Sequence, residues 1–208
     1  VASTLRSDPA LAHVKWILPA SPVRPVTANM NSPMPVWFDI YSFDLPIDIP
    51  PPHEEDEAGI LQSIASLDAL LSTVVASGID PGRIVLGGIS QGAAMSLLTG
   101  LTTSKKLAGL IALSSRLLLR YRLKSMVSAH ASSIPIFWAH GTADTVVKYE
   151  LGRTCADFLV KEIGIPVAPY LGAYEGLDFH TYKALGHTIC DDELLDAASW
   201  LKKIIPPL

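Results

Sequence analysis

The 208-residue chain holds only two cysteines, Cys155 and Cys190. Two are too few for the disulfide frameworks that hold small secreted domains together, so reduced thiols and a cytosolic address are expected. Charge is scarce as well: 17% of residues are charged, the net charge is −4, and the lysines and arginines do not cluster. That argues against a nucleic-acid face. No apolar run approaches transmembrane length and no signal-peptide pattern is visible, which sets aside membrane-spanning and secreted classes. No pair of histidines has metal-ligand spacing, so no metal site is expected. Internal repeats and low-complexity tails are also lacking, and the first residue is Val1 rather than Met.

What remains is apolar. Residues of hydrophobic type make up 49% of a chain whose length suits one domain, so a sizeable core is available. Short apolar runs alternate with helical patterns. Residues 13–19 read as a buried strand ending at Pro19, and residues 20–53 as a long, proline-rich connection, a length usually kept for function. Asp56 and Glu57 open a helix whose apolar positions, from Ile60 to Val75, follow a 3.6-residue period up to Gly78. Strands follow at 83–87, 107–113, 134–140 and 178–182, and helices at about 93–98, 149–163 and 191–204. Continuous apolar strands separated by helices imply a mostly parallel sheet covered on both faces, a three-layer α/β fold.

Gly88-Ile89-Ser90-Gln91-Gly92 is the most informative stretch. It is a G-x-S-x-G sequence between an apolar strand and a helix former run, the setting of a nucleophile elbow. A serine hydroxyl needs a base to take its proton, and the base needs a carboxylate to orient it. Ser90, Asp144 and His187 occur in the chain order of α/β-hydrolases, the latter two in loops that follow strands. Each has an ordinary alternative: Asp144 can cap a helix starting near Val146, and His187 can be a surface loop histidine. Asp178 is a weaker competitor for the acid, and His180, inside a strand pattern, reads as structural. Asp157 and Glu162 read as solvated, while His13, His53 and His130 lack any partner signal. Cys190 lies near His187, but Ser90 is far better placed as nucleophile. The N–H of Gln91 is a natural oxyanion donor.

Several segments together resemble the acyl-protein thioesterases of the phospholipase/carboxylesterase family of α/β-hydrolases. They are Pro19–Thr27 with Asn29 and Met30, Met34–Ile40, Arg83–Gly92, His140-Gly141 with Asp144 and Val147, and Tyr182–Cys190. The resemblance implies Ser90, Asp144 and His187 as the triad and hydrolysis of long-chain acyl thioesters on protein cysteines, with no cofactor needed. Carboxylesterase or lysophospholipase side activity is implied too. It also implies S-acylated proteins and acyl esters as substrates, transient contact with a membrane surface, and a cytoplasmic address with the nucleus as a second. The segment 58–61, with Ile60, is expected to help line the acyl channel. Arg116 stands where the family often has an aromatic residue, and is expected at the pocket rim. The histidine loop lacks the family's usual glycine-methionine pair. Family members carry a strand ending in His-Gly-Leu-Gly-Asp ahead of the region matching residue 1, and its loop supplies a second oxyanion donor. Residues 1–40 hold no such motif, so the expectation is one domain over residues 1–208, truncated at its N-terminus relative to the family. A catalytically impaired fragment that binds acyl chains, and a short-chain esterase without protein substrates, are the competing readings.

Overall fold

The computed structural model describes residues 2–49 and 52–207. In chain order its elements are α1 (Ala2–Arg6), β1 (Val23–Val26), β2 (Ser32–Pro35), α2 (Glu57–Ala76), β3 (Val85–Ile89) and α3 (Gln91–Thr102). Then come β4 (Gly109–Leu113), α4 (Leu123–Met126), β5 (Ile136–Gly141), α5 (Tyr149–Phe158), β6 (Leu177–Tyr182) and α6 (Asp191–Ile204). Strands β3 to β6 form one parallel sheet in the order β3-β4-β5-β6.

The inner strands β4 and β5 are buried on both faces, because both faces of the sheet are covered. Side chains alternate across a strand, and here the alternation separates two cores. Leu110, Ala112, Ile136 and Trp138 join Leu67 and Leu71 of α2, Leu97, Leu98 and Leu101 of α3, and Leu151 and Cys155 of α5. Their neighbours Ile111, Leu113, Phe137 and Ala139 face the other way, onto Leu5 of α1 and Trp200 and Leu201 of α6. Helices therefore sandwich the sheet, and the expected three-layer α/β-hydrolase fold is what forms. Parallel order also brings the C-terminal ends of all four strands to one edge of the sheet, where Ser90, Ser114, Thr142 and Lys183 directly follow their strands.

The expected strand over residues 13–19 does not form. Val14 and Trp16 lean on the second core, but Ile17 and Leu18 are exposed, and Pro19 and Pro22 offer no N–H to a ladder. The long connection hides a hairpin instead: β1 and β2 pair antiparallel despite Pro25, Pro33 and Pro35. A two-stranded ribbon is all edge, which is where proline is tolerated. The strand expected at 83–87 runs two residues later, because Pro81–Arg83 forms a 3-10 turn whose Gly82 N–H donates to Asp80. One expectation about apolar runs is corrected: α2 is 20 residues long with a mean hydropathy of 1.5, long and apolar enough to cross a membrane. In this fold α2 packs along α3, with Ile60, Leu67 and Leu71 in the core and Asp68 bonded to Thr103 and Lys105.

Candidate active site

Ser90 sits between β3 and α3 at φ 53°, ψ −122°, a conformation that non-glycine residues rarely adopt and that costs about 1–3 kcal/mol. Surrounding bonds hold it there. Its N–H donates to the Leu113 carbonyl at 2.8 Å, and its own carbonyl accepts from Ser115 Oγ at 2.9 Å and from the Ala94 N–H at 3.0 Å. Gly88 is obligatory, since a Cβ there would lie 2.6 Å from the Gly92 backbone carbon. Gly92 is not: a Cβ on it would meet nothing within 4 Å. Of the two glycines that flank the serine, Gly88 alone relieves a close approach.

Two loops bring the other side chains to Ser90. Gly141 ends β5 where a Cβ would overlap the Leu185 carbonyl, so the loop after β6 can lie directly on it. The loops are stitched by Thr142 N–H to the Tyr182 carbonyl and Ala143 N–H to the Leu185 carbonyl, each 2.9 Å, and by Ala184 N–H to Thr142 Oγ1. As a result His187 Nε2 lies 3.0 Å from Ser90 Oγ, and His187 Nδ1 lies 2.8 Å from Asp144 Oδ2. An ionised carboxylate only accepts, so Nδ1 carries the proton and Nε2 is free to accept from the serine. The Asp144 side chain is fully enclosed, and its Oδ1 accepts the N–H groups of Val146 and Val147, each at 2.9 Å. Asp144 thus holds a turn and faces the base; it caps no helix, because the helix expected near Val146 begins only at Tyr149, after Lys148. Asp178 pairs with His180 at 2.7 Å, both nearly buried, and does not reach His187. Cys190 lies just before α6 at its N-terminus, and Cys155 is a buried thiol whose pKa burial raises.

Ser90 opens into a cleft of about 500 Å³. Its walls include Phe38, Ile40, Tyr41, Phe43, Leu45, Val146 and Val147, with Gln91 and Arg116 near the serine. The Gln91 side chain fastens the wall to the elbow: Oε1 accepts the Trp37 N–H at 2.7 Å and Nε2 donates to the Phe38 carbonyl at 2.9 Å. The Gln91 N–H lies in the first turn of α3, out of reach of any intrahelical carbonyl. Arg116 is on the cleft wall, as half of an ion pair: Nη1 donates to Glu55 Oε1 at 2.7 Å. Ile60 does not line it. The residue is fully buried in the core beneath α3, because helical periodicity turned it inward rather than toward the cleft.

Other wall residues gave no sequence signal. Glu55 accepts the Leu119 N–H at 3.0 Å, and buried Arg120 donates to the Ile47 and Asp48 carbonyls, tying those three residues down. His53 also lines the cleft. In the sequence only Asp56 and Glu57 are read, as the opening of a helix, and Glu55 has no role; the fold turns Glu55 inward.

Comparison with known proteins places this geometry. The profile of the Phospholipase/Carboxylesterase family matches residues 2–205. Acyl-protein thioesterase 1 of Cryptococcus neoformans is 43% identical over 195 residues, covering 93% of this chain and 81% of that protein. Acyl-protein thioesterase 1 of Mycosarcoma maydis is 41% identical over 214 residues, covering 99% and 84%. Among solved structures, Arabidopsis thaliana SOBER1 superposes with a TM-score of 0.84 at 30% identity, covering 97% of this chain and 89% of that one. Zea mays acyl-protein thioesterase 2 gives 0.78 at 30% identity, covering 98% and 87%.

Proposed function

The chain belongs to the phospholipase/carboxylesterase family of hydrolases, and we propose that it removes long acyl chains from protein cysteines by serine catalysis. One observation carries the reading: the unbroken Ser90–His187–Asp144 hydrogen-bond path at the base of a largely apolar cleft. The curated relatives named acyl-protein thioesterase support the substrate class.

In the proposed reaction Ser90 Oγ attacks the thioester carbonyl while His187 Nε2 takes its proton. Asp144 stabilises the imidazolium that forms. The oxyanion accepts the Gln91 N–H. The tetrahedral intermediate collapses by breaking the C–S bond, and His187 returns the proton to the departing cysteine thiolate. Water then attacks the acyl-Ser90 ester with His187 as base, releasing the fatty acid and restoring the serine. The same acyl-enzyme forms from oxygen esters, which supports carboxylesterase and lysophospholipase side activity. The apolar wall favours longer chains, each buried methylene contributing about 0.8 kcal/mol. Exposed Tyr41 and Phe43 on the cleft wall, with exposed Ile47 and Ile49 shortly after them in the chain, support transient contact with a membrane surface.

A fluorophosphonate probe tests the nucleophile. Labelling confined to Ser90 and abolished in Ser90→Ala is expected; labelling that survives the substitution would refute serine catalysis.

A further inference from the structure

His140, the fifth residue of β5, takes no part in the reaction above, yet its side chain is fully enclosed beside the acid. Its Nε2 lies 2.8 Å from the Val147 carbonyl oxygen. A carbonyl only accepts, so Nε2 carries the proton. Nδ1 is buried without a partner and faces Gly152 of α5 so closely that a Cβ there would overlap it. A second proton at Nδ1 would be a buried N–H with no acceptor, which is costly. Burial likewise holds the imidazole below its ordinary pKa, against the pull of the Val147 carbonyl and the Asp144 carboxylate. The charged or titratable groups facing the ring are Asp144 on its own loop, His187 from the loop after β6, and Glu150 of α5, with the Tyr149 ring edge-on at 6.0 Å.

Val147 is gripped from both ends. Its carbonyl accepts from His140 Nε2, and its N–H donates to Asp144 Oδ1 at 2.9 Å. His140 Nε2 also lies 3.5 Å from Asp144 Oδ2, the oxygen that accepts from His187. We propose that His140 is a positioning residue for the acid: its Nε2–H fixes Val147, and through Val147 the turn that aims Asp144 at His187. The consequence for turnover rests on the hydrolase reading; the consequence for His187 does not. Without the donor the buried Val147 carbonyl loses its partner, the turn relaxes, and the base loses its fixed orientation.

Three variants separate this from simple packing. His140→Phe keeps a ring of similar shape without a donor, His140→Gln restores an N–H donor, and Gly152→Ala pushes the imidazole off its carbonyl without changing its chemistry. Turnover of a palmitoyl-cysteine peptide is measured against pH, alongside thermal melting and ¹⁵N-histidine NMR of the same proteins. In His140→Phe and Gly152→Ala, kcat should fall by about 10²-fold, the scale of a 1 Å misplacement, with KM little changed. The acid-side midpoint of the kcat/KM profile should move to lower pH, since a poorly held carboxylate stabilises the imidazolium less. His140→Gln should recover most of the loss. Folded His140→Phe protein with wild-type kcat and an unmoved profile would overturn the proposal, as would equal losses in the Phe and Gln variants. NMR needs no turnover. His140 should read as a neutral Nε2–H ring, and the His187 signals should change in His140→Phe. An Nδ1–H or charged His140, or unchanged His187 signals, would overturn the proposal. Absent turnover in the wild-type protein with those signals in place would instead overturn the hydrolase reading.

Discussion

Arg116 and Glu55 form an ion pair on the wall of the cleft, with Arg116 Nη1 2.7 Å from Glu55 Oε1. The Glu55 side chain is 1% exposed and Arg116 16%, and Glu55 Oε2 accepts the Leu119 N–H as well. Taking one partner from a buried pair leaves the other charge uncompensated, at about 3–5 kcal/mol. Arg116→Ala should therefore lower stability by about 3 kcal/mol, somewhat under the fully buried figure because the arginine reaches solvent. Glu55→Ala should cost at least as much, since it also orphans the Leu119 N–H. Urea unfolding of the two variants checks the order.

Glu193 is fully buried in the first turn of α6 with no side-chain partner for its carboxylate, and only the Cys190 N–H pulls against that burial. Burial pushes its pKa up to about 7 from an ordinary 4.5. The folded state thus holds a proton that the unfolded chain gives up. The stability contributed by the protonated carboxyl is fully present below about pH 4.5 and is lost as pH rises through about 7, a span worth about 3 kcal/mol. Glu193→Gln should remove that slope and leave the protein more stable than wild type above pH 7. Denaturant midpoints measured from pH 4.5 to 8 would show it; parallel curves for both proteins would contradict it.

The two glycines of the elbow should differ. Gly88→Ala places a methyl against the Gly92 backbone, whereas Gly92→Ala enters open space on a helical residue. The first should unfold the elbow and lower Tm sharply. The second should stabilise by about 0.5 kcal/mol through the unfolded state. Calorimetry on the pair is decisive.

Asp144→Asn should preserve the turn, because an amide oxygen can still accept the Val146 and Val147 N–H groups. Its nitrogen can no longer accept from His187 Nδ1–H, so the base takes the wrong tautomer and kcat should fall by about 10⁴-fold. Near-wild-type kcat in a folded variant would remove Asp144 from its role.

The sequence made some of this legible and hid the rest for identifiable reasons. The meeting of Ser90, Asp144 and His187 was readable because a sharp turn, a strand end and a hydrogen-bond chain each demand particular residue types in a particular order. The sheet was readable because apolar runs such as Gly109–Leu113 leave no polar face. Ile60 was misassigned because a 3.6-residue period marks the buried side of a helix without saying whether core or cleft lies opposite. Glu55 went unseen because one inward-turned carboxylate in an acidic run has no local signature; its partners are 61 and 64 residues away. The β1–β2 hairpin was masked by its prolines, and the strand expected at 13–19 failed because strand pairing is a property of neighbours, which composition does not reveal.

The most direct test of the whole account is hydrolysis of a palmitoyl-cysteine peptide by this 208-residue chain, with the acyl-enzyme trapped and weighed by mass spectrometry. We expect release of thiol and a palmitoyl adduct on the Ser90 peptide, both lost in Ser90→Ala. Folded wild-type protein that forms no adduct and releases no thiol would contradict the assignment and leave an α/β-hydrolase fold that binds acyl chains without cleaving them.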